Sequence, residues 1–377
     1  MKNRGIKKNI KVVLVFLIGA ILFSLHFSNS KPPNKEIEVV NWNNYYNENN
    51  IAFFYENINN KKIQLLDSTY KVSEMVGQEN DEFNKVLKTI DIVNSIIQYD
   101  DVADLNFRSG YDILKEKGSS KKVSANNMAV IEKDLLTASG ITSRIGVFRK
   151  KDAINDSKSD YYVVEYWSTQ SKKWVMIDFL DKGYFTDGYN TLSAIEVLTK
   201  DINELSYIGK TKGKEYKKNI KKYLDSYSIE IDNTITGSKS NSFITYIKDK
   251  KALEIKYKDR FAPPTIFTEE TSIFEKNPTN NSIGTDKKAY IILMKKSDLA
   301  EVTNAKQAKK PETDGISMIV GAFKDGKIMG NYYLNVNGNG YEEVNKYKEI
   351  ELKKGETSID LSVDGINSIG NIIVRKN

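Results

Sequence analysis

The period of the hydrophobic pattern changes at Gly140, and this change constrains the fold more than any other feature of the sequence. In the segment 81–99, apolar residues recur at steps of three and four, which places them on one face of a helix. These residues are Phe83, Val86, Leu87, Ile90, Val93, Ile96 and Ile97. After Gly140, short aromatic and β-branched runs at 145–149, 161–168 and 174–178 are typical of strands. Helices followed by a sheet predict an α+β domain.

Two shorter helices are predicted between the first helix and the strands. One contains Tyr111, Ile113 and Leu114 and ends at Gly118. The other has four apolar residues on one face, and Gly140 occupies the position after its last turn where glycine is favoured. These four residues are Met128, Ile131, Leu135 and Ala138.

The second half of the chain is predicted to be all β. From Ser228 onward, strand-like runs recur as far as Val363, and Asn-Gly and Asp-Gly pairs supply turns between them. This pattern favours a β-sandwich over a barrel. The predicted division is residues 1–30 as a basic region with a transmembrane or signal segment, 31–79 as a polar spacer, 80–227 as the α+β domain, and 228–377 as the β-rich domain.

The N-terminus has the order of charges and apolar residues that export machinery recognises. Five basic residues precede Val12–Phe27, a 16-residue apolar run without charge. As a helix this run covers roughly 24 Å, against about 30 Å for the hydrocarbon layer. Because Ser28-Asn29-Ser30 is a poor cleavage site, we expect an uncleaved membrane anchor with the rest of the chain extracytoplasmic. Secretion after cleavage is the alternative, and richness in Lys, Asn, Ile and Tyr suggests a Gram-positive bacterium.

Charge and composition exclude several classes of function. The net charge is +7, but five of the 57 basic residues lie in the first eleven positions, which leaves 52 basic against 50 acidic residues. Nucleic-acid binding is therefore not expected. The chain has no cysteine, and its single histidine, His26, lies in the apolar run. Disulfides and the usual zinc sites are excluded, and no cofactor or metal site is predicted.

The third helix and the strands after it carry a family resemblance. The segment from Ser124 to Arg144 is similar to the nucleophile helix of transglutaminase-like (papain-like) domains. Their pattern is a cysteine, an alanine four residues later, and G-I-x-x-R. Ala129 and Gly140-Ile-Thr-Ser-Arg144 match it without a gap, which puts Ala125 at the cysteine position. The resemblance extends over about 81–185 and implies a bacterial extracytoplasmic member of this fold.

The resemblance also assigns the other two triad positions. The family's strand H-x-W/V-x-E-V corresponds to the run from Tyr161 to Trp167, with Tyr161 in place of histidine, and W-x-x-x-D corresponds to Trp174–Asp178. A cysteine mechanism requires a thiolate and an imidazole, and Ala125 and Tyr161 supply neither. An alignment slip of one residue would offer Ser124 and Tyr162, still without a base.

We therefore expect a pseudoenzyme that acts as a binding or scaffolding module in the cell envelope. The candidate groove residues are Ser124, Glu165, Trp167 and Trp174, and the ligand is expected to be an envelope peptide, protein or polysaccharide. Structural roles are the simpler interpretation of several of these residues. Asp178 is expected to accept turn amides at a strand end, and the two tryptophans are expected to pair across strands in the core.

Two other functions remain open at the sequence level. The β-rich domain is a candidate polysaccharide-binding module, through exposed aromatics such as Tyr332, Tyr333 and Tyr341. A hydrolase with a relocated carboxylate-based site is the other alternative, with Glu165 or Asp181 as the acids to test.

Overall fold

A computed structural model describes residues 37–118, 122–151, 160–237, 242–248, 264–279, 284–295 and 315–377. Over these residues the protein is a mixed α/β structure with several sheets. The predicted membrane segment and the rest of residues 1–30 lie outside the described part of the chain. Within the described part, no helix is both long and apolar enough to span a membrane.

A six-stranded sheet forms the centre of the α/β unit, in the strand order β11-β10-β9-β4-β5-β6. All neighbouring pairs are antiparallel except β10 and β11. The strands are β4 Ser143–Arg149, β5 Asp160–Ser168, β6 Lys173–Ile177, β9 Ser226–Glu230, β10 Phe243–Ile247 and β11 Thr265–Thr268. Three short strands precede this sheet in the chain: β1 Ile37–Trp42, β2 Gln98–Tyr99 and β3 Lys122–Val123. Two others, β7 Tyr184–Thr186 and β8 Ser206–Ile208, form a separate antiparallel pair.

Five helices cover one face of this sheet. They are α1 Lys61–Tyr70, α2 Val72–Val76, α3 Glu82–Ile96, α4 Gly110–Lys117 and α5 Ala125–Ala138. Helix α5 is central, because every residue from Asn127 to Ala138 is buried. Gly140 follows it with φ of 78°, the left-handed conformation that favours glycine after a helix.

The opposite face packs on two further helices and on the C-terminal unit. The helices are α6 Ala194–Thr199 and α7 Gly213–Ile220, and two 3₁₀ turns follow at Lys221–Tyr223 and Thr271–Glu275. Tyr46, Ile51 and Phe53 join this core, together with side chains from β12 and β13 of the C-terminal unit. The two units therefore share one apolar core.

The C-terminal unit is a sandwich of two antiparallel sheets. The five-stranded sheet has the order β1-β19-β18-β15-β16, and in the four-stranded sheet β12, β14 and β17 all pair with β13. Apolar side chains of both sheets meet between them in a third core. The remaining strands are β12 Tyr290–Lys295, β13 Ile316–Lys324, β14 Lys327–Ile328, β15 Asn331–Val336, β16 Tyr341–Asn345, β17 Tyr347–Leu352, β18 Gly355–Ser362 and β19 Gly370–Lys376.

The structure differs from two of the predicted segment boundaries. Within the predicted spacer 31–79, the described residues 37–79 are not simply polar linker, because β1 pairs with β19 of the sandwich and α1 and α2 cover the six-stranded sheet. The α/β unit also extends past residue 227, because β10 and β11 hydrogen-bond onto β9 in the same sheet. Both differences come from pairing between segments distant in sequence, which local patterns do not record.

Candidate functional site

The N-terminus of α5, where the resemblance would place a nucleophile, is capped and covered. Ser124 accepts a hydrogen bond from the Asn127 backbone N–H at 3.1 Å, as an N-cap residue does. The Asn127 side chain binds both backbone groups of Leu105, accepting from its N–H at 2.8 Å and donating to its carbonyl at 2.9 Å. Residues 100–109, here called the strap, therefore lie across this helix end.

Arg108 fixes the other end of the strap to the loop after β9. Its guanidinium donates to the Glu230 carboxylate at 3.0 Å and to the Asp232 carbonyl at 2.9 Å. A third hydrogen bond runs to the Thr234 carbonyl at 3.4 Å. The strap is thus held by hydrogen bonds at both ends.

A buried cluster of hydroxyls and a carboxylate surrounds Asp178. Its Oδ2 accepts from the Tyr161 hydroxyl and, at 2.6 Å, from the Tyr216 hydroxyl. Its Oδ1 accepts the backbone N–H groups of Leu180 at 2.9 Å and Asp181 at 3.1 Å. Asp178 therefore both caps the turn after β6 and joins two tyrosines from distant segments.

Burial dominates the electrostatics of this cluster. It raises the pKa of Asp178, against the opposing effect of the donated hydrogen bonds. Burial also raises the pKa of Tyr161 far above its usual value of 10, and the adjacent Asp178 charge raises it further. A phenol held in this way donates a proton in a hydrogen bond and has no basic lone pair comparable to that of imidazole. Tyr161 is consequently not a general base.

A second layer of the cluster lies around Asp181. The rings of Tyr207 and Tyr216 are stacked with centroids 3.4 Å apart and an interplanar angle of 5°. The Tyr207 hydroxyl donates to Asp181 at 2.7 Å, and Thr211 donates to the same carboxylate through its backbone and its hydroxyl. These contacts tie the region before α7 to the end of β6.

The three predicted triad positions are only partly brought together. Tyr161 and Asp178 are in direct contact, on the face of the sheet that packs against α6 and α7. Ala125 begins α5, which packs on the opposite face. Tyr162, the neighbour of Tyr161, faces that helical layer. The sheet therefore separates the helix of the nucleophile position from the Tyr161–Asp178 pair.

The four candidate groove residues do not form a groove. Ser124 is buried as the N-cap of α5, and Glu165 and Trp174 are also buried. Glu165 accepts from Arg144 at 2.7 Å, from the Tyr227 hydroxyl at 2.7 Å and from the Ala194 N–H at 2.8 Å. This ion pair lies in the core.

The two tryptophans of the candidate groove pair across adjacent strands. Trp167 lies opposite Trp174 in the register of β5 and β6, with the rings edge to face at 5.6 Å. The Arg144 guanidinium stacks on Trp174 at 4.0 Å, and the Trp174 indole donates to the Lys276 carbonyl at 2.8 Å. Trp174 is buried in the core, whereas Trp167 is half-buried.

Sequence reasoning missed several residues that organise this region. In the sequence, Arg144 stands out only as the last residue of the G-I-x-x-R pattern, and no buried partner is predicted for it. Tyr216 and Asn127 carried no signal, because each acts on a segment more than 20 residues away in sequence. The one available clue is an arginine in a largely apolar strand, because an arginine that becomes buried requires a buried acceptor.

The C-terminal tyrosines named for polysaccharide binding are not equivalent. Tyr332 is buried, and its hydroxyl contacts the carbonyls of Val320 and Lys346, each at 3.0 Å. It is a core residue, so the expected exposed role is wrong for it. Tyr333 and Tyr341 are half-buried on the five-stranded sheet.

Within the described residues, no group of three or more histidine, cysteine, aspartate or glutamate side chains is arranged to hold a metal ion.

The compared family models and curated proteins do not match the chain.

Three solved structures are similar to parts of this chain. A candidate cysteine protease from Cytophaga hutchinsonii has 14% identity and a TM-score of 0.27, over 40% of this chain and 50% of its own. A candidate protease from Parabacteroides distasonis has 13% identity and a TM-score of 0.22, over 39% and 28%. The red sea bream transglutaminase has 12% identity and a TM-score of 0.29, over 87% and 57%. This chain thus spans 28% to 57% of their lengths, and such low scores assign neither a family nor an activity.

Proposed function

We propose that this protein is a non-catalytic member of the transglutaminase-like fold that binds or scaffolds a partner in the cell envelope. In this proposal the apolar segment 12–27 tethers it to the membrane, and the described units lie outside the cytoplasm. The α/β unit supplies a rigid surface rather than a reactive centre.

The Tyr161–Asp178–Tyr216 cluster is the observation that supports this proposal best. At the two positions where the resemblance places histidine and aspartate, the half-buried Tyr161 phenol donates to the buried Asp178 carboxylate. The third position is Ala125, which carries no nucleophilic atom, on a helix whose first turn is capped by Ser124. None of these three residues is suited to act as the general base or as the nucleophile.

A relocated carboxylate site is less well supported. Burial raises the pKa of Glu132, Asp134 and Asp178, as expected of acids tuned for catalysis. All three side chains are nevertheless buried, so a substrate does not reach them. Glu165 is neutralised by Arg144, and Asp181 is engaged by Tyr207 and Thr211.

The test is capture of a partner by the full chain. The protein, kept in solution with detergent, is immobilised and exposed to an envelope extract of its source organism, and bound proteins, peptides and glycans are quantified by mass spectrometry. We expect a defined ligand that is recovered intact, neither cleaved nor cross-linked. Recovery of no ligand above an unrelated membrane protein, or recovery of cleaved or cross-linked ligand, would overturn the proposal.

Two exposed aromatics provide a matched pair of variants. Phe107 in the strap is 40% exposed, whereas Tyr189 is 95% exposed on the loop after β7. If the partner binds over the strap, Phe107→Ala reduces its recovery and Tyr189→Ala does not. Equal recovery of the partner with both variants would show that it binds at a surface other than the strap.

A further inference from the structure

A shallow cavity lies on the outer face of the four-stranded sheet, away from the Asp178 cluster. It has a volume of about 260 Å³ and is lined by Met294, Ile319, Tyr347 and Glu349, from three neighbouring strands. Sites for drug-sized ligands usually have about 300–1,000 Å³, so this cavity has room for a single ring-sized unit.

The ring of Tyr347 lies against Gly321 on the neighbouring strand. Tyr347 lies opposite Gly321 in the register of β17 and β13. A Cβ atom added at Gly321 would lie 3.2 Å from two carbons of the tyrosine ring. The Cδ1–Cε1 edge of the ring therefore lies against Gly321 of β13, and the side chain as a whole remains 46% exposed.

The backbone before Tyr347 also fixes its position. Lys346 adopts a left-handed conformation with φ of 61° where the chain passes from β16 in one sheet to β17 in the other. Its N–H donates to the Gly330 carbonyl at 2.8 Å, and its carbonyl contacts the Tyr332 hydroxyl at 3.0 Å. The aromatic ring is thus presented on a rigid scaffold, which lowers the entropic cost of binding.

The floor and rim of the cavity differ in polarity. Met294 and Ile319 supply an apolar floor, and Met294 also packs against the core that the two units share. Glu349 forms the rim, and its Oε1 accepts from the Ser317 hydroxyl at 2.7 Å. Glu351 follows on the same face of β17.

We propose that this cavity binds one unit of a neutral polysaccharide, with the sugar ring stacked on Tyr347 and its hydroxyls hydrogen-bonded to Glu349. A pyranose has an apolar C–H face that matches an open aromatic ring, and hydroxyl edges that a carboxylate accepts. The methyl of an acetamido sugar fits the floor formed by Met294 and Ile319. The cavity lies apart from the Asp178 cluster, so failure of the trimer to bind would leave the proposed role of the α/β unit unaffected.

The test uses the full chain and the β-1,4-linked trimer of N-acetylglucosamine, followed by saturation-transfer NMR and calorimetry. Because the cavity is shallow, we expect saturable binding with Kd on the order of 0.1–1 mM. Tyr347→Ala should weaken binding at least about tenfold, whereas Tyr347→Phe, which keeps the ring, should stay within about threefold of the wild type. Gly321→Ala should also weaken binding, because the added methyl displaces the ring.

Tyr341→Ala is the control, since it removes a half-buried tyrosine from the other sheet and should leave the affinity unchanged. The proposal is overturned if the trimer does not bind at about 10 mM. It is also overturned if Tyr347→Ala binds like the wild type. If a lysine-containing peptide binds through Tyr347 and the trimer does not, the site recognises cations and the assigned ligand class is wrong.

Discussion

The α/β unit and the sandwich bury different kinds of side chain. The interior of the α/β unit contains charged residues of both signs, whereas the described part of the C-terminal unit buries one charged residue, Asp286, in the loop before β12. The buried charged residues of the α/β unit are Glu132, Lys133, Asp134, Arg144, Glu165, Asp178 and Asp232. In the sandwich, the core between the two sheets is built from apolar side chains and the buried Tyr332.

This difference separates two ways of specifying a fold. Burying charges has a large desolvation cost, so an ion pair such as Arg144–Glu165 adds little net stability over apolar residues of equal volume. The pair does destabilise any conformation in which one of the two residues is buried without its partner, because that charge is then uncompensated. The sandwich depends instead on apolar burial, which is insensitive to pH. Substitutions in the α/β unit should therefore be more damaging and more dependent on pH.

The largest effect is expected from breaking the buried ion pair. Glu165→Ala leaves the Arg144 guanidinium buried without its carboxylate, which should lower the free energy of unfolding by about 3–5 kcal/mol. The measurement is urea unfolding followed by the fluorescence of Trp167 and Trp174, which lie beside this pair, and Trp42, which lies in the sandwich.

The double variant Arg144→Met/Glu165→Leu is the control for this prediction. It removes both charges and should recover most of the loss. A loss below about 1 kcal/mol in Glu165→Ala would mean that the pair is not buried as described.

The next largest effect is a pH dependence centred on Glu132. Burial raises the pKa of this residue from 4.5 to about 8, and its Oε1 lies 2.6 Å from the Thr89 hydroxyl. Thr89 also donates to the Val86 carbonyl at 2.7 Å, and one hydroxyl proton cannot serve both acceptors. A protonated Glu132 supplies the second proton.

Because the folded pKa lies above the unfolded one, this stabilisation is fully present below pH 4.5 and is lost as the pH rises through 8. Between pH 6 and 8 the loss should be roughly 2–3 kcal/mol. Glu132→Gln should flatten this part of the stability profile, whereas Glu116→Gln, at an exposed position of α4, should not. A wild-type profile that is flat over this interval would contradict the assignment.

A smaller effect is expected from single hydroxyls. Tyr216→Phe removes a donor to the buried Asp178 carboxylate and should cost about 1.5–3 kcal/mol, since hydrogen bonds to charged groups are the stronger ones. Tyr332→Phe in the sandwich removes a hydroxyl that contacts only carbonyls, and should cost about 1 kcal/mol. Thermal and urea unfolding of the two variants compare the units directly. Equal losses would remove the distinction between them.

The smallest effect is expected at the surface of the sandwich. Arg375 contacts Glu38 at 3.1 Å and Glu356 at 2.5 Å, and all three side chains are exposed. Exposed ion pairs are screened by water and salt, so Glu356→Gln should leave the melting temperature unchanged within error. A clear drop would show that the sandwich also depends on its charges.

Features with a local period could be predicted from the sequence. The helical face of 81–99, the glycine after α5 and the cross-strand pairing of Trp167 with Trp174 all follow from spacing over a few residues. Asp178 accepts turn amides, as its position at a strand end indicated.

Contacts between distant segments could not be predicted. Strand β1 pairs with β19, more than 300 residues away in sequence. The polar residues around β1 give no strand pattern from which this pairing could be predicted. Tyr216 reaches Asp178 from α7, 38 residues further along the chain. The face of the sheet that each side chain occupies also depends on tertiary packing, which is why Ala125 was expected beside Tyr161 and is not found there.

We propose that the residues at the triad positions hold the fold together and do not react. The most direct test is to incubate the full chain with a glutamine-containing peptide plus a primary amine, and separately with unfolded casein, and to analyse both mixtures by mass spectrometry. We expect peptide and casein to be recovered unchanged at every pH from 5 to 9. An amine-linked peptide or a cleaved casein fragment that disappears with Tyr161→Phe or Asp178→Asn would contradict it.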